Sequence, residues 1–331
     1  LNKIESKIIG ALTGAFMGDS LGMPVESWSK EKIAKKYGKI TGFLVPSEKS
    51  WFSGEKAGTP TDDWQLTKAV SMSILCDEND PYSIKNQIKY HISAYETSTK
   101  GWGRSTRNAV ENLIAGKSWY NSGINSGVGN GISLKCVPVV LLLASPKSDN
   151  KKVFDLIKKI SLMTHRNTLG LGSGFCQTEA VRYCFTHTPE TFDPQEFINK
   201  LYNLTAYIEC KKWGNIKIWK EKLHERIAEL RFFGTLNTDD IIDKFGGGSC
   251  YSINSLPFSY AFFLKNTKFK SVLDVINAGG DTDTNGSIVG SCVGALHGVT
   301  AFPMRLRKQI SAEHQAEIDN LSRMFYDKFF K

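Results

Sequence analysis

The sequence has little that reads as β-structure and nothing that reads as a paired-cysteine scaffold. Its seven cysteines (Cys76, Cys136, Cys176, Cys184, Cys210, Cys250 and Cys292) are an odd number, widely spaced, with no C-x-x-C. Free thiols explain this better than a disulfide framework. Thiols among apolar neighbours, as in Cys136-Val137-Pro138-Val139, fit a reducing compartment, so a cytoplasmic location is expected. No alternating hairpin surrounds an Asn-Gly pair, and the βαβ rhythm of a doubly wound sheet is missing. No fixed-period repeat and no low-complexity linker divides the chain. The first residues do not read as a signal peptide, because Glu5 and Asp19 interrupt a weakly apolar stretch. Acidic residues are the scarcer charge: 33 Asp+Glu face 42 Lys+Arg, a formal net charge of +9. Such a balance raises nucleic acid, a membrane surface or an anionic substrate as partners. The basic clusters at Lys30 to Lys39 and Lys211 to Lys222 read as solvated helix faces. No zinc-finger, RRM or basic-zipper pattern accompanies them, so neither nucleic acid nor membrane is expected.

What is present is helical patterning in a 331-residue chain that is 41% hydrophobic, an ordinary globular composition that rules out disorder, a coiled coil and a collagen-like chain. Ile4, Ile8, Leu12 and Phe16 predict a first helix ending near Gly18. Leu66, Ala69, Val70, Ile74 and Leu75 mark another, and Leu134 to Ala144 is apolar almost all round, as in a fully buried helix. Val153 to Met163, Glu179 to Phe185 and a charged Trp219 to Phe232 follow. Val272 to Ala278 and Ile288 to Leu296 flank a polar loop, and Ser311 to Phe330 is an amphipathic terminal helix. The longest uncharged run, Thr284 to Met304, has the length of a membrane span. Its Gly and Ser content, with Asn285 and His297, reads instead as a buried helix packed closely on its neighbours. The expected fold is all-α: a compact single domain over residues 1–331, with an insertion at about 205–245.

Two acidic motifs share one layout of small residues, then carboxylates and a Thr, then a buried helix. The first is Thr61-Asp62-Asp63, and the second is Gly279-Gly280-Asp281-Thr282-Asp283-Thr284. Thr and Asp at a helix start commonly cap it, and acids there favour the helix dipole. Two carboxylates within three residues exceed what a cap needs, and both motifs adjoin apolar helices where unpaired charge is costly. Carboxylate and hydroxyl oxygens suit hard cations such as Mg²⁺ or Mn²⁺. Four carboxylates from two helix starts could hold two such ions ~4 Å apart, a spacing that orients and activates water. The run Asp281-x-Asp283-x-Asn285-Gly286 begins like an EF-hand loop, but its twelfth position is Cys292 rather than Glu, and we reject that assignment.

A third segment, Ser126-Gly127-Val128-Gly129-Asn130-Gly131, is a glycine-rich loop before Leu134, either a flexible turn or a cradle for phosphate oxygens. Gly18 to Glu26 breaks the first helix and carries two acids, Thr164-His165 closes an apolar helix, and Gly101-Trp102-Gly103-Arg104 turns a corner or lines a pocket.

Taken in order, these segments resemble the ADP-ribosylglycohydrolase family, which includes dinitrogenase-reductase-activating glycohydrolases. The likeness runs from Gly10 to about Pro303. It rests on Gly-Asp-x-Leu-Gly with Glu26, Thr61-Asp62-Asp63, Gly101-Trp102-Gly103, Gly129-Asn130-Gly131 with Pro138, Thr164-His165, Ser255-Leu256-Pro257, and Asn277 to Thr284. The resemblance implies an orthogonal all-α bundle with a binuclear Mg²⁺ or Mn²⁺ cleft. Thr61, Asp62, Asp63, Asp281, Asp283 and Thr284 would be the ligands. Ser126, Gly127, Val128, Gly129 and Asn130 would cradle a pyrophosphate, and His165 would lie near the distal ribose. Glu26 would sit on a mobile loop over the metals, and loops around Trp102, Gly103, Arg104 and Tyr251 would shape the rest of the cleft.

The implied activity is release of ADP-ribose from a modified protein side chain by a monomer, arginine-linked first, with Asp281 or Glu26 taking the proton of water. Arg104 stands where some arginine-processing members carry an Asp nearby, and a cation is a poor neighbour for a guanidinium. Serine-linked or free ADP-ribosyl compounds are the second expectation. A silent ADP-ribose binder or crystallin-like structural protein is the third.

Overall fold

The computed structural model describes residues 1–331, with seventeen α-helices, several short 3-10 turns and one pair of two-residue strands. The first helix, Lys3–Gly22, starts at a capping box in which Asn2 and Glu5 satisfy each other's backbone N–H groups. It does not end near Gly18 as the sequence suggests, but continues through Asp19 to Gly22. The reason is its partner, the helix Thr282–His297. Gly10, Gly14, Gly18 and Gly22 face Gly294, Gly290, Gly286 and Thr282 in turn, so the two helices run antiparallel with their backbones in contact. A Cβ at Gly10 would lie 2.5 Å from the Gly294 carbonyl oxygen, and the other three would meet the facing backbone closer still. The helical cost of glycine, ~1 kcal/mol each relative to alanine, is offset by an approach that no other residue permits.

Both helices are central. From Gly10 to Gly22 every residue is buried, and Thr282 to Leu296 is buried throughout. Composition alone would let Lys3–Val25 cross a membrane, but 94% of its apolar window is buried inside the protein. Around the pair lies one cluster of 70 buried hydrophobic residues, from Ile8 to Phe329. The helices Asp62–Leu75, Thr168–Thr186, Ser252–Lys265 and Ala312–Phe329 supply much of it. Leu134 to Ala144 is split into a 3-10 turn, Leu134–Cys136, and a helix, Val137–Leu143, at the point where Pro138 enters the first turn.

Residues 205–245 differ from the expectation of one charged helix over Trp219 to Phe232. The helix there is short, Leu223–Ala228, followed by a 3-10 turn and then Thr238–Lys244. Buried Glu209 organises this segment, accepting the backbone N–H groups of Leu223 at 2.9 Å and His224 at 3.0 Å. Leu223, Ile227, Leu230 and Ile241 are fully buried in the main core.

The strand pair joins Trp28–Ser29 to Gly279–Gly280 in antiparallel register. It ties the segment after the first helix to the segment before the last central one.

The glycine contact makes a direct prediction. Gly14→Ala or Gly290→Ala forces a methyl into backbone and should lower stability by at least ~2 kcal/mol. Gly234→Ala, where an added Cβ meets nothing within 4 Å, should change it little. Chemical denaturation of the three variants checks this; equal losses would remove the close approach as the cause.

Candidate metal and phosphate site

The antiparallel helix pair sets the C-terminal end of one helix against the N-terminal end of the other. Asp19 therefore lies beside the Asp281 motif. Asp19 is fully buried, and its carboxylate accepts the backbone N–H of Thr61 and of Trp64, each at 3.0 Å. It thus pins the first turn of the helix Asp62–Leu75 to the first helix, and brings the two acidic motifs together.

Capping does not use up the motif carboxylates. The Thr61 hydroxyl caps its helix by accepting the Asp63 N–H at 3.2 Å. Asp281 is the N-cap residue of its helix but makes no side-chain cap bond. Its Oδ2 instead accepts the Asn130 amide at 2.7 Å. The same Asn130 amide donates to Ser255 Oγ, which donates to Asn285, whose own amide donates to the Gly248 carbonyl. This chain of buried amides and hydroxyls fixes the Asp281 carboxylate and the glycine-rich loop relative to each other.

Glu26, Asp281 and Asp283 present ligand oxygens that lie within 4.8 Å of one another. The Ser27 N–H donates to the Gly280 carbonyl at 2.8 Å, and the strand pair follows at once. Glu26 is therefore held at the site rather than at the tip of a free loop. Asp62 and Asp63 share the same field: burial raises both well above the ordinary carboxylate range, with Asp19 and Asp281 adding repulsion to each. Burial likewise raises Asp281 and Asp283, and pushes Asp19 and Glu26 up to about 7. None of these six acids is paired with a lysine, arginine or histidine. Asp63 Oδ2 is buried without any hydrogen-bond partner. An orphaned carboxylate oxygen among hard oxygen donors, with no counter-charge from the protein, fits a divalent cation.

The glycine-rich loop turns its carbonyls inward. The Gly127 carbonyl accepts from Asn167 Nδ2, the Val128 carbonyl from the Ser252 N–H, and the Gly129 carbonyl from the Ser252 hydroxyl. With those oxygens drawn into the protein, the N–H groups of Val128 and Gly129 have no protein acceptor. Ser126 beside them is exposed. His165 lies under this loop; a Cβ at Gly129 would be 3.9 Å from its Nε2. Its Nδ1 is bonded to the Thr164 hydroxyl at 2.8 Å, and burial, with nearby Lys135, lowers its pKa to about 3, so the ring is neutral.

The remaining expected residues stand further back or aside. Tyr251 pairs through its backbone with Gly129, while its hydroxyl accepts from Trp219 Nε1 and donates to Glu221. Trp102 is buried in a small satellite cluster with Leu66 and Val110, and its Nε1 donates to Gln65. Gly103 and Arg104 are exposed. Gly101 abuts the site, since a Cβ there would collide with Asp62 Oδ1. Three residues of this network receive no site role from the sequence, although Asp19 and Ser255 fall within motifs that carry the family resemblance. Asp19 gains its role only because the first helix continues past Gly18. Asn285 and Ser255 act only through contacts distant in sequence.

The raised carboxylates carry a pH signature. In the metal-free protein Asp19 and Glu26 hold protons up to about pH 7, whereas in the unfolded chain they release them near ~4. Between those values the folded state binds more protons, so this contribution falls as pH rises through the window and is fully lost above it. A divalent cation replaces the protons. The rise in melting temperature on adding Mg²⁺ to chelator-treated protein should thus be larger near pH ~8 than near pH ~5. A rise that is equal or reversed contradicts the site.

Comparison with known proteins places the chain in a family. The chain matches the ADP-ribosylglycohydrolase family over residues 1–331. It is similar to ADP-ribosylhydrolase ARH3 of Xenopus tropicalis, 23% identical over 343 residues, covering 94% of this chain and 93% of that protein. It is also similar to the ADP-ribosyl-[dinitrogen reductase] glycohydrolase of Rhodospirillum rubrum, 21% identical over 341 residues, covering 96% of each. A solved ADP-ribosylglycohydrolase-related protein complex has the same fold, with a TM-score of 0.70 at 20% identity and 99% of both chains covered. The all-α bundle that carries these two acidic helix starts belongs to the ADP-ribosylglycohydrolase family, and the chain is a glycosidic-bond hydrolase of that family.

Proposed function

We propose that the chain releases ADP-ribose from a modified acceptor, with two Mg²⁺ or Mn²⁺ ions held by Thr61, Asp62, Asp63, Asp281, Asp283 and Thr284. The observation that carries this is the set of six clustered acids without a cationic partner, one with an orphaned buried oxygen. Bound divalent ions would neutralise that charge and acidify a water molecule. A purely structural or silent relative has no need of such a cluster, which costs stability while it stays unpaired.

The chain's own residues do the rest. The free N–H groups of Val128 and Gly129 take the pyrophosphate, with Ser126 beside them. Neutral His165 lies beneath, on the side of the distal ribose. Asn130 holds Asp281 through one oxygen and leaves the other to accept the proton of the attacking water. Glu26, poised near neutrality, is the second group suited to that proton. As water attacks the anomeric carbon, the bond to the acceptor breaks, and the surrounding carboxylates favour the oxocarbenium-like state. Of the linkages that the family resemblance leaves open, an uncharged oxygen acceptor such as serine suits the cleft better than arginine, because Arg104 and Arg107 line it.

Asp281→Asn and Asp62→Ala should each reduce Mg²⁺-dependent ADP-ribose release by at least ~100-fold. Product should be measured from defined serine- and arginine-linked peptides, with a thermal melt to show that each variant is folded. Unchanged turnover in both overturns the mechanism. Binding of ADP-ribose without release by the unmodified chain would favour the silent reading.

A further inference from the structure

Beside Glu26 opens a cleft of about 800 Å³ whose wall includes Trp51, Lys100, Arg104 and Arg107. Its floor is acidic: Glu26 lines it, and the wall residue Gly101 rests against the Asp62 carboxylate. Its wall is cationic. Lys100 is paired with Glu55 at 2.7 Å, but Arg104 and Arg107 have no carboxylate within ion-pair distance. Arg107 donates only to the Thr99 carbonyl, at 3.0 Å, and both arginines are exposed. They occupy the first turn of the helix Arg104–Ile114, whose N-cap, Gly103, offers no side chain to the free N–H groups. The positive helix end adds to the two guanidiniums.

On the hydrolase reading above, a bound substrate has its anomeric carbon at the acids and its pyrophosphate on the Val128 and Gly129 N–H groups, on the Asp281 side. The cleft on the Asp62 side then receives the acceptor. We infer that the Arg104–Arg107 wall selects acceptors whose residues flanking the ADP-ribosylated side chain are acidic. An acidic flank meets two unpaired guanidiniums, while a basic flank or an arginine acceptor meets like charge. The exposed indole of Trp51, 84% accessible, gives the peptide an apolar surface at the rim.

The test uses fluorescein-labelled peptides with one ADP-ribosylated serine, flanked either by Asp and Glu or by Lys and Arg. Anisotropy in chelator reads affinity without turnover. The acidic peptide should bind about tenfold tighter, the order that two screened charge contacts supply. The preference should shrink as salt is raised and collapse in the Arg104→Gln/Arg107→Gln double variant. Equal or reversed affinities overturn the inference, as does a preference that survives in the double variant. Gly127 abuts Ser105, so the two sides of the cleft meet at this helix start. Free ADP-ribose is therefore titrated as well, and its weakened binding to the double variant would assign the arginines to the pyrophosphate and overturn the acceptor role. Release of ADP-ribose with Mg²⁺ is scored separately: its failure refutes the hydrolase reading, while the flank affinities still decide this one.

Discussion

The close approach of two glycine-faced helices is the constraint on which the rest of the molecule depends. Backbones that touch along Gly10, Gly14, Gly18 and Gly22 leave no freedom in register, because a slip would drive a side chain into a carbonyl. Register in turn decides that the C-terminal turn of one helix, with Asp19, lies at the N-terminal turn of the other, with Asp283. Close carbonyls and Cα–H groups contribute weak contacts of their own. The larger stabilisation comes from the outward faces, where Leu12, Phe16, Ile288 and Val289 are fully buried. The helix pair is therefore both the middle of the core and the ruler that sets the site.

Charge placed at that junction is expensive. Asp19 is the one acid whose structural use is plain: its two oxygens serve backbone N–H groups that a helix start would otherwise leave open. The other acids gain less. Asp62 and Asp63 profit from the positive end of their helix, but no side-chain cation pairs with them, and beyond burial it is repulsion from Asp19, Glu26 and Asp281 that raises Asp62, and from Asp62, Asp19 and Asp281 that raises Asp63. Such a site is stable only because the glycine contact and the core around it fix the backbone independently of the charges. Destabilisation of this kind, held in place by packing elsewhere, marks the junction as a candidate binding centre.

Much of this was legible in the sequence and some was not. The acidic motifs could be read because their ligands are adjacent in the chain and start apolar helices. The absence of strands could be read because β-structure needs patterns that are missing. The end of the first helix was misread for a physical reason: glycine breaks a helix when judged alone and permits one when a second backbone lies against it, and only the fold supplies that second backbone. The same holds for residues 205–245. Their apolar residues carry no clear period because three short elements share them, and Glu209, the organiser, reads as one more surface acid. The Asn130 to Asp281 bond joins residues 151 positions apart. The free N–H groups of the glycine-rich loop follow from where Asn167 and Ser252 take its carbonyls. No local pattern encodes either.

The net charge of +9 can be placed in the same frame. Six of the chain's acids are spent on one buried point, so the surface is more basic than the total suggests. That arrangement has a consequence for the order of events. With the floor unneutralised, an anionic substrate meets attraction at the arginine wall and repulsion below it. Once cations occupy the floor, the repulsion is removed and the wall's field is unopposed. Under the proposed function, substrate affinity and cation affinity are therefore coupled through Coulomb interaction, and by linkage each would strengthen the other. The basic surface is the electrostatic counterpart of this acidic centre. It draws anions toward a site whose own repulsion weakens as its charge is neutralised.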